Sequence, residues 1–335
     1  MPVQINLNDV QKQAVETVDK PVLIFAGAGT GKTRVLTAKI AHLIKNEKYA
    51  PENILAATFT NKAAGEMKSR VKKIVGPRAS KVNIGTFHSI CARILRYEID
   101  QLGFNPNFAI YDAADQLSLI KSIINSNKIP VDGMTPNAIR GRISLAKNSM
   151  AESKLDNKSP SPVDRAAALV YPLYTKALKE NNALDFDDLL LFPLKVFKKN
   201  PAILKKYQEQ FKYVLVDEYQ DTNHAQFLLV KLLAEKHNKI TVVGDDDQSI
   251  YGWRGADISN ILDFEKAFPG CKTFRLEQNY RSTQTILSAA STMVRNNEHR
   301  AEKELWTEGI AGASIGVMET FDELEEAEGI LELLE

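Results

Sequence analysis

Val22-Leu23-Ile24-Phe25-Ala26-Gly27-Ala28-Gly29-Thr30-Gly31-Lys32-Thr33 is the stretch that decides the fold of this chain. A short apolar run ends in a glycine-rich turn, and the turn ends in Lys-Thr. The run has the pattern of a parallel strand buried on both faces. Glycine admits the backbone conformations that turn several N–H groups toward one anion. A helix starting near Gly31 adds its positive end at the same point. The stretch therefore reads as a phosphate cradle. Ala28, Gly29, Thr30 and Gly31 form the loop, Lys32 reaches the outer phosphates, and the Thr33 hydroxyl holds Mg²⁺. The strict pattern starts with Gly where this chain has Ala26.

Upstream, Leu7, Val10, Ala14, Val15 and Val18 recur at helical spacing, with Asn8 as N-cap. Gln11 is either an exposed helix residue or an amide that pairs with the edge of an adenine. Downstream, Leu36, Ile40 and Leu43 continue a helix until Pro51 breaks the chain. A second strand, Ile54–Phe59, spills Thr58-Phe59-Thr60-Asn61-Lys62 into a loop before a helix over 63–75. Open α/β sheets place their sites at such strand ends. Gly76-Pro77 stops that helix. A third strand over 82–85 leads into Thr86-Phe87-His88-Ser89 and a helix over 90–99. This alternation predicts a parallel sheet flanked by helices.

The pattern changes after Gly103. Residues 112–181 show helical stretches at 113–124, 136–147 and 163–180, separated by breaks such as Ser159-Pro160-Ser161-Pro162, and no strand. Asp185-Phe186-Asp187-Asp188-Leu189-Leu190 opens another helix. Strands then return at 213–218, ending in two carboxylates, and at 239–243 and 272–276. A helical block thus interrupts one sheet domain. The expected division is 1–111 and 189–276 for the sheet domain, 112–188 for the insertion, and 277–335 for the start of another module. In the last part a helix is expected over 283–294 and a weak strand over 314–318. Glu319–Glu335, acidic and without Lys or Arg, is expected to lack order.

Asp217-Glu218 follows four apolar residues. A strand-end carboxylate suits the outer shell of the Mg²⁺ that accompanies ATP, and Asp217 takes that role. Glu218 then faces the γ-phosphate and orients or deprotonates water. Gln248 ends the next strand; its amide contacts the γ-phosphate or its water and reports their presence. Beyond it lies Tyr251-Gly252-Trp253-Arg254-Gly255. Its aromatics either stack on nucleobases or pack on the domain edge. Phe59 and Phe87 fit the same face, and Lys62, Arg254 and the Thr60 and Thr86 hydroxyls fit backbone phosphates. Arg281 is either a surface residue or a guanidinium held over the γ-phosphate from a neighbouring module. His88 reads as a hydrogen-bonding residue, because five scattered histidines make no metal set.

The formal net charge of +1 over 335 residues neither favours nor excludes nucleic acid, since a neutral total can hide a basic groove. Cys91 and Cys271 make neither a disulfide framework nor a zinc pattern, which fits a reducing compartment. No apolar run approaches the ~18 residues of a membrane span, and none at the N-terminus has the form of a signal peptide. The expectation is a soluble cytoplasmic protein with no membrane partner.

The sequence resembles the superfamily 1 DNA helicases of the UvrD/Rep/PcrA type over essentially its whole length. The resemblance rests on Leu7–Gln11, Ala26–Thr33, Thr58–Ala64, Gly85–Ser89, Asp185–Leu190, Val216–Asn223, Val243–Ala256 and Leu276–Thr283, in the family's order. Ala26 is the family's usual form. The resemblance implies an ATP- and Mg²⁺-dependent 3′-to-5′ helicase or translocase of RecA-like fold, used in repair or replication. Gln11 resembles the adenine-reading glutamine, and Arg34 and Tyr280 the residues flanking the base. Lys32, Thr33, Asp217 and Glu218 resemble the phosphate, metal and catalytic-base residues. Gln248 resembles the γ-phosphate sensor and Arg281 one of two arginine fingers. Phe59, Tyr251 and Trp253 resemble aromatics along which single-stranded DNA steps, with Thr60, Asn61, Lys62, Thr86, Phe87, His88 and Arg254 beside them. The insertion resembles subdomain 1B, the sheet domain 1A, and residues from 277 the start of 2A.

The implied partners are single-stranded DNA, single/double-strand junctions, and repair or replication proteins. The chain stops before the later 2A motifs and the second finger, so C-terminal helicase domains are implied beyond it. It is therefore expected to bind ATP weakly, hydrolyse it slowly and not unwind DNA by itself. The alternatives are the ATPase part of a recombination helicase-nuclease and a non-hydrolysing module that binds DNA or a partner. Glu218, Gln248 and Arg281 argue against the last, because binding alone does not need them.

Overall fold

The structure, a computed structural model, describes residues 6–297 and 300–334, with the Arg254 side chain outside the described part. The first half of the chain forms α1 (Asp9–Glu16), β1 (Val22–Ala26), α2 (Lys32–Lys45), β2 (Ile54–Thr58), α3 (Asn61–Val75), β3 (Asn83–Thr86), α4 (Phe87–Glu98) and β4 (Ala109–Tyr111). Helices α5 (Ala113–Asn127), α6 (Pro136–Asn148) and α7 (Pro162–Glu180) follow. Then come β5 (Ala183–Asp185), α8 (Phe186–Lys199), α9 (Pro201–Gln210), β6 (Tyr213–Val216), α10 (His224–Ala234) and β7 (Ile240–Gly244). The chain continues through α11 (Ser259–Leu262), α12 (Phe264–Ala267), β8 (Lys272–Leu276), α13 (Gln284–Val294) and α14 (Glu323–Leu334).

Six strands form one parallel sheet in the order β3-β2-β6-β7-β1-β8. Every residue of β1, β2, β6 and β7 is buried, as expected of central strands covered by helices on both faces. At the edge, β8 alternates: Phe274 and Leu276 are buried while Lys272 and Arg275 face water. Side chains divide between two cores with the period of a strand. Leu23 and Phe25 pack with α4, α8 and α10 on one face, and Val22, Ile24 and Ala26 with α2 and α3 on the other. Because all six strands run the same way, their carboxyl ends emerge on one rim.

The inserted helices have a core of their own, in which Ile120, Ile139, Ile143, Val170 and Tyr174 meet. The chain enters and leaves this insert side by side, zipped by a short parallel ribbon pairing Ala109 with Ala183 and Tyr111 with Asp185. A fold of RecA-like parallel sheet with an inserted helical subdomain, as read from the sequence, is what forms.

Two expectations for the C-terminal part fail. Residues 314–318 make no strand. Ile315 and Val317 are 52% and 91% exposed, so their alternation finds no sheet face to cover. The acidic end is ordered where disorder was expected: Glu323–Leu334 forms α14, with three glutamates in its first turn. Carboxylates there suit the positive end of the helix dipole, although no residue of α14 is buried.

Candidate nucleotide site and nucleic-acid groove

The loop after β1 curls through Gly29 at φ 72° and Gly31 at φ 92°, both in the left-handed region that favours glycine. A Cβ at Gly29 would stand 2.7 Å from Asn279 Nδ2 and 2.8 Å from Arg281 Cβ, so the loop and Asn279–Arg281 are in close contact. Two hydrogen bonds fix that contact. Asn279 Nδ2 donates to the Ala28 carbonyl at 2.7 Å, and the Tyr280 N–H donates to the Gly29 carbonyl at 3.0 Å. Thr30 is buried and its hydroxyl donates to the Gly27 carbonyl at 2.8 Å, which braces the turn.

Lys32 opens α2, and its Nζ lies 3.3 Å from Glu218 Oε2 at the end of β6. Glu218 adopts φ 50°, ψ 47°, an uncommon conformation for a residue other than glycine. The turn leads straight from a buried strand into a side chain facing the loop, and such conformations concentrate at functional sites. Its neighbour Asp217 is buried; burial first, and then Glu218, push the Asp217 carboxyl up to about 7 against the pull of Lys32. A buried carboxylate in that condition is one whose charge a bound cation would restore. Thr33, Asp217, Glu218 and Gln248 line one cavity of about 330 Å³. The donor set, a hydroxyl and a carboxylate beside a lysine and an amide cradle, fits a Mg²⁺-bound triphosphate.

Gln220 joins these groups. Its Nε2 donates to Glu218 Oε2 at 3.1 Å and Asp221 Oδ2 at 3.0 Å, and its Oε1 accepts from the Asp245 N–H at 3.0 Å. The other Asp221 oxygen, Oδ1, is buried and unpaired among the described residues. Burial and then Glu218 push this carboxyl up to about 6. Gln248 donates to the Asp245 carboxylate from its Nε2.

At the adenine end, Gln11, Arg34 and Tyr280 come together around Asn8 and the phosphate loop. Gln11 is 1% exposed, with Nε2 donating to the Thr30 carbonyl at 2.9 Å and Oε1 accepting from the Asn8 N–H at 3.1 Å. The same Asn8 caps α1, so Gln11 ties that helix to the phosphate loop with one amide hydrogen and one oxygen lone pair, leaving the other of each for a ligand. Arg34 lies 5.6 Å from the Tyr280 ring centroid, and the Tyr280 hydroxyl accepts from Asn8 Nδ2 at 2.8 Å. Arg281 lines a separate depression of about 280 Å³ with Tyr280, outside the cavity that holds Glu218.

A groove of about 560 Å³ runs beside the nucleotide cavity, and Phe59, Asp221 and Tyr251 line both. Phe59 stacks on Tyr251 at 5.2 Å between ring centroids, and Trp253 tilts against Tyr251 at 6.4 Å. Trp253 is 74% exposed, so it is not a core residue. Asn61 and Lys62 are exposed at the start of α3. The Thr60 and Thr86 hydroxyls cap α3 and α4, accepting from Ala63 N–H at 3.1 Å and Ser89 N–H at 3.2 Å. His88 sits edge-on to Phe186 at 5.6 Å, with its pKa lowered by burial, so the ring stays neutral at neutral pH. Phe87 lines the same groove as Phe59 and Trp253, at its floor. It is 3% exposed and packs with Ile90 and Cys91 under the groove, because the first residue of α4 points into the sheet core. The proposed role of Arg254 lies outside the described residues.

Sequence reading missed the opposite wall. Arg140, Ser144 and Asn148 of α6 line the groove facing Trp253. Asn148 also accepts from Asn223 Nδ2 at 2.7 Å and donates to Asp187 at 2.9 Å, joining the insert to the loop that follows Glu218. No local pattern marks these residues, since only the tertiary fold brings α6 to the sheet rim. Gln220 was visible as a polar residue two positions after Glu218, but nothing in its spacing reveals its three side-chain partners.

Sheet, loop and strand-end carboxylates together define a P-loop nucleotide-binding protein of RecA-like fold. Comparison with known proteins places the chain further. Residues 7–269 match the UvrD/REP helicase N-terminal domain, and residues 274–335 match the UvrD-like helicase C-terminal domain. The chain belongs to the UvrD/REP helicase family. It is 53% identical over 310 residues to the ATP-dependent DNA helicase PcrA of Bacillus subtilis (strain 168), covering 92% of this chain and 42% of that protein. It is 48% identical over 334 residues to PcrA of Staphylococcus aureus (strain Mu50), covering 97% of this chain and 45% of that protein. The chain thus spans less than half the length of these relatives. Among the described residues no helix is long and apolar enough to cross a membrane.

Proposed function

We propose that this chain is the ATP-hydrolysing part of a helicase or translocase that moves 3′-to-5′ along single-stranded DNA. One observation carries the reading: the cavity holding Thr33, Asp217, Glu218 and Gln248 shares a wall, Phe59, Asp221 and Tyr251, with an aromatic-lined groove. Residues 1–111 and 189–276 act as motor domain 1A, 112–188 as subdomain 1B, and 277–335 as the start of 2A. Single/double-strand junctions and repair or replication proteins are the fitting partners, in the cytoplasm.

Within the site, the Ala28–Gly31 amides and Lys32 bind the phosphates, with Arg34 and Tyr280 beside the base. Thr33 and Asp217 hold Mg²⁺, which when bound neutralises charge on the phosphate oxygens. Glu218 orients the attacking water and takes its proton. Gln248 senses the γ-phosphate and Arg281 offsets charge developing on it. Phe59, Tyr251 and Trp253 offer stacking surfaces, while Thr60, Asn61, Lys62, Thr86 and His88 face the DNA backbone. Hydrolysis of ATP without strand separation is the activity proposed for these 335 residues.

The test is ATP turnover with and without oligo-dT, beside Glu218→Gln. DNA-stimulated turnover that is lost in the variant is expected. Intact binding of an ATP analogue with no turnover under either condition would replace this reading with a non-hydrolysing binding module. Strand separation of a forked duplex at low protein excess would overturn the expectation about unwinding.

A further inference from the structure

The run Asp245-Asp246-Asp247 brings three carboxylates together as a metal site would, but Lys303 fills the space between them. Its Nζ lies 3.0 Å from Asp245 Oδ1 and 2.7 Å from Asp247 Oδ2, and it also pairs with Asp246. The Lys303 side chain is 1% exposed. Arg300 holds Asp247 through Nε at 3.1 Å and Nη2 at 2.8 Å, and the Ala301 N–H donates to Asp246 at 2.6 Å. A buried ammonium persists only where its charge is matched this closely.

Asp245 has a second duty. Its other oxygen, Oδ2, accepts from Gln248 Nε2, and its N–H donates to Gln220, which in turn donates to Glu218. The carboxylate that Lys303 holds is therefore one hydrogen bond from Gln248. The same segment also fixes the approach of Arg281. The Trp306 N–H donates to the Glu277 carbonyl at 3.0 Å, and the Asn279 N–H donates to the Trp306 carbonyl at 2.8 Å. Asn279 Oδ1 then accepts from the Arg281 N–H at 2.8 Å. Between these two anchors Leu305 covers the phosphate loop: a Cβ on Gly27 would come within 2.5 Å of Leu305 Cδ2.

We propose that residues 300–306 form a clamp that sets Gln248 and Arg281 together, with Lys303 as its principal positioning residue. The inference rests on the reading of Gln248 and Arg281 as γ-phosphate contacts given above. Lys303 touches no reacting atom. It acts through Asp245, so that a shift of this segment reaches both contacts at once.

Amide hydrogen exchange on the nucleotide-free chain tests the clamp without requiring turnover. Lys303→Met should speed exchange at 245–251 and 277–282 by roughly 10-fold or more, as expected for loss of charged hydrogen bonds. Exchange in β6 should stay unchanged, and Lys303→Arg should restore the wild-type pattern. Unchanged exchange in both segments, or equal acceleration in β6, overturns the clamp. If Lys303→Met does not fold, the Lys303→Met/Asp246→Asn pair lowers the unmatched charge and is held to the same outcomes.

Turnover supplies the second arm. In a Gln248→Ala background, Lys303→Met should cost less DNA stimulation than it does in the wild type, the remainder running through Arg281. Additive losses would mean that Lys303 does not act through Gln248. Wild-type protein with no DNA-stimulated turnover overturns the functional reading instead, and the exchange result then judges the clamp separately.

Discussion

Lys32 Nζ and Glu218 Oε2 stand 3.3 Å apart, one at the start of α2 and the other at the end of β6. Each charge answers the other across the phosphate cradle. In the proposed reading, a bound γ-phosphate would compete for Lys32 and free Glu218 to face water. Glu218→Gln keeps the shape of the side chain and removes the base. Turnover should fall by about 10²- to 10⁴-fold, the usual worth of a positioned proton acceptor. Binding of a fluorescent ATP analogue should survive, whereas Lys32→Ala should weaken it. Wild-type rates of phosphate release from Glu218→Gln would remove Glu218 from the chemistry.

The Phe59, Tyr251 and Trp253 rings form a continuous series, with centroid spacings of 5.2 and 6.4 Å. Trp253 is its exposed end. Trp253→Ala should weaken binding of single-stranded DNA by about 1–3 kcal/mol, the range for one base–aromatic stack. Fluorescence anisotropy with labelled oligo-dT reads this directly, and oligo-dA should lose a similar amount because stacking tolerates sequence. Undiminished affinity would return Trp253 to a packing role at the domain edge.

The central sheet was legible because buried parallel strands are apolar without interruption, and each here ends in a polar cluster at one rim. Val22–Ala26 before the glycine loop and Tyr213–Val216 before Asp217 show this most directly. What escaped the sequence was long-range pairing. Gln11 was legible as a polar residue upstream of the phosphate loop, but not its bonds to Thr30 and Asn8. Phe87 reads as a groove aromatic, and it does line the groove, but its position at the start of α4 also commits most of the ring to the core. Lys303 lies 58 residues from Asp245 in sequence and bonds to it in space. Period and spacing describe neighbours along one element; they carry no information on which two elements meet.

The insert is fastened to α8 by a buried charge cluster. Lys147 Nζ lies 2.7 Å from both Asp185 and Asp188, and Tyr174 donates to Asp185 at 3.0 Å. Burial works against the Lys147 charge, but Asp188 and Asp185 together outweigh it and raise its pKa. Lys147→Met leaves two buried carboxylates without their cation, which should cost about 3–5 kcal/mol. Denaturant unfolding measures the loss. Because α6 also carries Arg140, Ser144 and Asn148 to the groove, the same variant should weaken DNA binding at temperatures where it remains folded. A variant as stable as the wild type would show that the cluster is not needed to hold the insert.

Lys39 supplies a pH-dependent term on the opposite face. Its side chain is fully buried, and Nζ donates to the Ala14 carbonyl at 2.8 Å and to the Thr17 carbonyl, tying α2 to α1. Burial lowers its pKa to about 7, with Asp19 opposing. Unfolded lysine titrates near ~10.4. Between those values the unfolded chain binds a proton that the native chain releases, so the Lys39 contribution to stability rises with pH. Below pH 7 both states are protonated and the contribution is flat. A neutral amine still has hydrogens for both carbonyls, so deprotonation removes the desolvation cost without losing the tie. Lys39→Met lacks this titration. Urea unfolding at pH 7, 8 and 9 should therefore show the wild type gaining on the variant, approaching about 1.4 kcal/mol per pH unit. Parallel profiles would mean that Lys39 stays charged in the native state, held by the two carbonyls and the Tyr213 ring 5.6 Å away.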